Sequence, residues 1–437
     1  MTLSVAVALT SASFGRTQPF ILGADVSWIP EEEARGVKYF DGGVQKDIFQ
    51  ILKDHKFNCV RLRIFHNPAA PNGGSVATTG AVYSGYSSQG FCDLAHTKAM
   101  ALRIKAAGMM FSLDFHYSDN WADPGKQYKP HAWANATFTE LTDSVRQYTK
   151  NVITELKNQG TPPHMVQVGN EITAGMIWPD GMTSNWTNLG TLLKAGIAGV
   201  KDVDTAIKII MHIDKGGDNA ATRSWISNAV AQGVVFDILG ESCYTTFQGP
   251  PSDWQSNFAD LATRYPAYQF IIAEYSQEKR AANDIMFNLP DKRGLGTFIW
   301  EPLQYLEAFF TASGNNWITN SYIDLYPQMS KDYGNDTFTA AGKRNAPAGW
   351  HSGYSIVNPA AWLVGHSPLQ VYCPAESRMQ LYLHAVNGRI TMTMAMNGHR
   401  GINQFGKQRE VRGLARGCYI LSLKIKGITA VQYAVVK

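Results

Sequence analysis

Eight short apolar runs, spaced by longer amphipathic stretches, constrain this chain more than any other feature. They cover residues 20–27, 58–65, 109–117, 165–171, 207–213, 234–244, 269–275 and 296–301. Runs this short read as strands buried on both faces, and helix-length stretches between them read as crossovers, so the chain alternates β and α around a parallel sheet. Segments 45–55, 94–107, 138–158, 189–203 and 222–231 carry the helical period. Eight such units within about 280 residues fit an α/β fold of the (β/α)₈ TIM-barrel type, which needs roughly 250. An open doubly wound sheet is the alternative, but no GxGxxG follows the first run.

A barrel of this kind keeps its chemistry where the strands end at the C-terminal face. The runs end in Asp25, in Arg61 and Arg63, in Asp114 and His116, in Asn170-Glu171, in His212 and Asp214, in Tyr244, in Glu274, and in Trp300-Glu301. Alternate residues of a strand share a face, so Arg61 and Arg63, or Asp114 and His116, both point inward. By itself the Asn170-Glu171 pair in VQVGNEITAG reads as well as a helix cap or a solvated acid. Glu274 changes that reading. Acids on strands four and seven face each other across the mouth and can flank one bond, as glycoside hydrolysis requires of one protonated and one ionised carboxyl. Asn170 is then placed to bind a sugar 2-hydroxyl, Arg61 and Tyr244 to keep Glu274 ionised, and Trp300 to floor the sugar.

Other readings stay open for several residues. Arg61 paired with Asp114 makes a structural bridge, and His116 and His212 read equally as satisfied interior histidines. With Asp25 the histidines suggest a metal-dependent amidohydrolase, but the early HxH of such a site is missing. Asp119, Asp123 and Asp180 fall in loops, as do Trp121, Trp133 and Trp178, which serve either as substrate contacts or as loop anchors.

Composition narrows the partners. Hydrophobic residues make up 45% of 437, charged residues only 17%, and eleven Trp bring the aromatic share to 11%, which suits a large core and also the apolar faces of sugars. A net charge of +4 without a basic patch argues against nucleic acid. The five cysteines show neither CxxC nor metal-ligand spacing; Cys59 and Cys243 read as core residues, while Cys373 and Cys418 are candidates to pair. No metal and no cofactor is expected.

The chain divides into a leader at residues 1–19, a barrel at 20–333, a linker at 334–357 and a small all-β, sandwich-like domain at 358–437. The apolar run LSVAVALTSASF is too short to span a bilayer and resembles a secretory signal, although it lacks a basic start. The linker is rich in Gly, Ala, Asn and Thr, and beyond it residues 380–386, 389–396 and 419–426 alternate in polarity, with turns expected at Asn387-Gly388 and Asn397-Gly398.

The segments GADVSWIPEEEARGVKYFD, NCVRLRIFHNP, DFHYSDNWADPGKQYKPHAW, VQVGNEITAGMIWP, IIAEYS and TFIWEP, in this order over about residues 21 to 333, resemble the arabinogalactan endo-1,4-β-galactanases of glycoside hydrolase family 53. The WADP-centred segment is the most specific. The resemblance implies a retaining endo-β-1,4-galactanase of clan A acting on galactan side chains of pectin, with Glu171 as acid/base and Glu274 as nucleophile. It implies Arg61, His116, Asn170, Tyr244 and Trp300 around the cleaved sugar, and His212, Asp119, Trp121 and Trp178 complete the expected substrate-binding set. The sixth run departs from the family, reading SCYTTF where SYYP is usual, so the family pattern does not fix the tyrosine facing Glu274. The loop after Glu274 lacks the acidic cluster with which some relatives hold calcium. Another clan A endoglycanase, a mannanase or cellulase, is the alternative within the class, and an inactive glycan-binding barrel is the alternative outside it. The tail (NGRI, LARGCYILSLKIKG, ITAVQYAVVK) resembles type IX secretion sorting domains, which implies passage to the cell surface or medium through secretion machinery; a carbohydrate-binding module is the alternative. A monomer without a membrane span is expected.

Overall fold

The computed structural model describes residues 18–70 and 83–336 in full and, beyond them, the backbone of residues 75–76 and of the strands between 355 and 436. The leader, apart from residues 18–19, and residues 337–354 of the linker lie outside the described residues. Two compact units have Phe20–Asp336 and Thr337–Lys437 as their main segments. No described helix is long and apolar enough to cross a membrane.

In the first unit eight parallel strands close into a barrel: β1 (Ile21–Asp25), β2 (Cys59–Phe65), β3 (Met110–His116), β4 (Met165–Val168), β5 (Lys208–Ile213), β6 (Ile238–Ser242), β7 (Gln269–Tyr275) and β8 (Gly294–Trp300). Each pairs with its neighbours in sequence, and β8 closes on β1. Alternation then sorts the side chains. Ile21, Cys59, Met165, Ile210, Ile238, Ile271, Leu295 and Phe298 form a plug inside the barrel. Leu22, Val60, Leu62, Leu113, Phe115, Val166 and Val168 belong to the larger core beneath the helices. The plug is tight: a Cβ on Gly23 would stand 2.3 Å from the Phe298 ring, so only glycine fits there.

The crossovers include α1 (Ile48–Asp54), α2 (Leu94–Ala106), α3 (Phe138–Asn158), α4 (Trp186–Lys201), α5 (Asn219–Ala231), α6 (Pro251–Arg264) and α7 (Lys279–Phe287). Thr137 and Glu140 form a reciprocal capping box that starts α3. Helices α4 and α5 begin three residues before the apolar period suggests, because Asn185 and Asp218 accept the backbone N–H of Asn188 and Ala221 and fix the starts upstream.

The sequence does not announce a four-stranded sheet in which Asn316–Thr319 pairs parallel with Lys38–Asp41, flanked by Phe310–Ser313 and Val44–Gln45. Its strands have at most four residues and join the two ends of the barrel segment. After it, α8 (Leu325–Asp332) sets Tyr326 against Phe57 at 4.2 Å between ring centroids and within 2.8 Å of the Tyr275 hydroxyl.

The second unit is all β. Strands β9 (Leu369–Cys373) and β12 (Gly401–Phe405) pair with each other and, through β9, with Ser355–Ile356. A second antiparallel sheet runs β11 (Ile390–Gly398), β10 (Ser377–Ala385), β13 (Cys418–Ile425), β14 (Ile428–Val436). Asn387-Gly388 lies outside the described residues. Asn397-Gly398 does not turn a hairpin: both residues extend β11 opposite Arg378 and Ser377, and the chain then enters the other sheet. An Asn-Gly pair signals a tight turn only where both flanking strands share a sheet. The side chains of Cys373 and Cys418 lie outside what is described, whereas Cys59, Cys92 and Cys243 are buried free thiols.

Candidate active site

Above the plug the inward positions turn polar, and Arg61 is their hub. Its side chain is almost fully buried. One terminal nitrogen donates to Asp25 at 2.7 Å and to Glu274 at 3.0 Å; the other donates to Asp114 at 2.9 Å, Gln167 at 3.1 Å and Asn170 at 3.0 Å. The two readings of Arg61 therefore hold together, since it bridges Asp114 and also grips Glu274. Burial would raise the Asp114 carboxyl, but Arg61 and His116 outweigh it and hold it below the ordinary range. Arg63, two residues on, donates to Glu301 and lies under aromatic rings, 4.3 Å from the Trp121 centroid and 5.4 Å from that of Trp28.

Glu274 reaches this layer through an irregularity. Ile271 belongs to the plug, so strict alternation would turn Glu274 outward. The β7–β8 register shifts between Ile272 and Tyr275, which leaves Tyr275 in the outer core and Glu274 inside. There the Tyr244 hydroxyl, from the single tyrosine of SCYTTF, donates to Glu274 at 2.9 Å. Glu171 arrives differently. Gly169 (φ +89°) ends β4, and Glu171 itself takes a left-handed conformation (φ +46°), rare for a residue with a side chain and frequent at functional sites.

The two acids have unlike surroundings. Burial first, then the charge of Glu274, pushes Glu171 well above the usual carboxylate range, with the Ser242 hydroxyl opposing. Burial raises Glu274 as well, but Arg61 and the Tyr244 hydroxyl favour its ionised form. Of the pair, Glu171 keeps the proton.

A chain of hydrogen bonds links Arg61 to Glu171. The Asn170 amide is oriented by Arg61, which can only donate to its oxygen, and by Ala122, whose carbonyl takes its Nδ2 at 2.8 Å. His212 Nδ1, 3.0 Å from that oxygen, must donate. Burial and Arg61 hold His212 well below its ordinary pKa, so the ring is neutral and Nε2 accepts. The acceptor's partner is Ser242, at 2.9 Å, whose single proton is thereby committed. Ser242 also lies 2.6 Å from Glu171 Oε1, where its hydroxyl oxygen can accept while Glu171 carries the proton. When Glu171 ionises, the Ser242 hydroxyl can rotate and donate to it instead.

These groups line one cavity of about 710 Å³ at the C-terminal mouth, which includes Glu171, Glu274, Arg61, His116, Asn170, Tyr244, Trp121 and Trp300 from the expected set. His116 Nδ1 accepts the Ala122 N–H at 3.1 Å, so its Nε2 donates to Asp114 at 2.9 Å. Three expected contacts lie off the cavity wall. His212 is buried beneath Asn170. Asp119 is buried and accepts the backbone N–H of Asn67 and His131, each at 2.9 Å, so it ties loops together. Trp178 precedes a cis proline and donates its ring N–H to the Ala174 carbonyl at 3.1 Å, in the loop-anchor role. Sequence reasoning passed over Gln167 and Ser242, although each follows a plug residue at even spacing, as well as Tyr305 and Phe247 on the rim.

The family model described as Glycosyl hydrolase family 53 matches residues 21–285. The chain is similar to the arabinogalactan endo-beta-1,4-galactanase of Thermothelomyces thermophilus, 30% identical over 313 residues that cover 64% of this chain and 88% of that protein. It is 28% identical to the endo-beta-1,4-galactanase of Bacillus subtilis over 83% of this chain and 87% of that one. A solved fungal beta-1,4-galactanase superposes with a TM-score of 0.61 at 28% identity, over 70% of this chain and 98% of the other.

Proposed function

The chain belongs to glycosyl hydrolase family 53, and from that premise we propose that it is a retaining endo-β-1,4-galactanase acting on the galactan side chains of pectin. The observation that carries this reading is the pair Glu171 and Glu274 in one cavity, the first raised by burial and by its partner's charge so that it keeps a proton, and the second held by Arg61 at 3.0 Å. Glu171 donates that proton to the glycosidic oxygen as Glu274 attacks the anomeric carbon and forms a galactosyl ester. Glu171, now ionised, takes a proton from water, which attacks the same carbon and releases Glu274. Asn170 has one amide N–H not taken by Ala122, and it serves the sugar 2-hydroxyl.

Release of oligosaccharides from β-1,4-galactan, compared with mannan and cellulose, tests the substrate; inertness toward galactan would refute it. Proton NMR of the first product should show the β-anomer, and initial formation of the α-anomer would refute double displacement.

Export is part of the same proposal, supported by the apolar run at residues 3–14 and by the tail's likeness to secretion sorting domains. Deleting residues 358–437 should then hold the enzyme inside the cells that make it, and unchanged export would refute a sorting role. We also take the enzyme to act as a monomer, for which sedimentation at working concentration is the check.

A further inference from the structure

We propose that Phe247 is the platform for the sugar on the leaving-group side of the scissile bond, an inference that rests on the galactanase reading above. Phe247 is 75% exposed, yet it forms part of the cavity wall. Exposure alone means little, since Val235 is 77% exposed and no part of that wall. The support beneath Phe247 is what distinguishes it. It belongs to the short helix Thr245–Gln248 that follows β6, in the segment that departs from the family pattern. Gln248 pins this turn at both ends of its side chain: its oxygen accepts the Tyr244 N–H at 2.9 Å, and its nitrogen donates to the Asp214 carbonyl at 3.2 Å. The buried Trp254 ring donates to the Gln248 carbonyl at 3.0 Å. An apolar ring set in water on a turn pinned this way, with the Tyr244 ring edge-on at 6.5 Å, is placed for a flat apolar partner, such as one face of a galactosyl unit.

The side of the cleft follows from the acids. Trp28, Trp121 and Trp300 cluster within 6.5 Å of one another, on the side where Arg63 and Glu301 lie. The proton donor Glu171 instead touches Ser242 of β6 and feels the charge of Asp214, just after β5. A departing chain leaves from the side of the acid that protonates it. Phe247, Gln248, Asp214 and Lys215 form the wall there. The Trp cluster therefore receives the sugars that stay on the enzyme, and Phe247 receives the first sugar that leaves.

The test compares galactan with β-galactobiosyl fluoride, which fills the retained side and has no sugar on the other. Phe247→Ala should lower kcat/KM on galactan about tenfold, the size of one stacking contact, and leave the fluoride unchanged. Phe247→Trp should restore galactan cleavage. Equal losses on both substrates, or full galactan activity in Phe247→Ala, would overturn the assignment while the wild-type enzyme still cleaves galactan. A wild type inert on galactan but active on another β-1,4-glycan would instead overturn the substrate reading, and this inference with it.

Discussion

Replacing Ser242 with alanine probes the proton arrangement directly. In the protonated state the Ser242 hydroxyl accepts from Glu171 and donates to His212; in the ionised state it donates to Glu171. A hydrogen bond to a charged acceptor contributes about 1.5–3 kcal/mol and a neutral one about 0.5–1.5 kcal/mol. Losing the hydroxyl therefore costs the ionised form about 1 kcal/mol more, about fivefold in the ionisation equilibrium, and the Glu171 pKa rises further. Glu171 acts as an acid while protonated, so activity is lost as pH rises through its already elevated pKa, and the loss moves to higher pH in Ser242→Ala. The assay is the pH dependence of kcat/KM, whose basic limb reports the acid of the free enzyme. The acidic limb, set by Glu274 with Arg61 and Tyr244, should stay in place and certify that the mouth is intact. A basic limb that stays put or moves down would refute the argument that Ser242 serves both protonation states of Glu171.

Glu274→Ala should lower kcat by at least about 10³-fold with the fold preserved, because Asp25 and Asp114 still satisfy Arg61; substantial residual turnover would remove it as nucleophile. Arg61→Met strands three carboxylates in the barrel and should cost about 3–5 kcal/mol, read as a lower denaturation midpoint; an unchanged midpoint would show that the acids are not held by this charge. Glu241, buried outside the barrel with Thr222 and Asn257 each at 2.6 Å, is pushed up to about 8 by burial. The folded chain then keeps a proton that the unfolded chain releases, so its contribution is full below the unfolded pKa near 4.5 and is lost as pH rises toward 8, at up to about 1.36 kcal/mol per pH unit. Glu241→Gln should flatten that decline in urea midpoints taken across the window, and an unaltered slope would refute the assignment.

Much of the fold was legible because the barrel is written in local periods. The plug residues Cys59, Met165 and Ile210 and the polar residues Arg61, Gln167 and His212 two places on share a face by strand geometry alone. That rule also gave the ring of strand ends, hence Asn170-Glu171 and Tyr244. It does not reach Asp119 and Trp178, loop residues that lie off the cavity wall and hydrogen-bond to neighbouring backbone. It also missed the sheet joining Lys38–Asp41 to Asn316–Thr319, whose strands are too short for a periodic signal and too distant in sequence for a local one.

The sequence by itself determined the eight β-α units, the polar layer above an apolar plug, and the presence of an acid just after strand four and another on strand seven. Only the tertiary structure decided what those acids are. Glu274 faces inward because the β7–β8 register slips, a property of paired strands that no single strand encodes. Its ionised form is favoured by an arginine of β2 and a hydroxyl following β6, while burial and the charge of Glu274 keep the proton on Glu171 against the Ser242 hydroxyl of β6. A carboxyl's protonation depends on burial and on charges a few ångströms away, and it is closure of the barrel that fixes those neighbours.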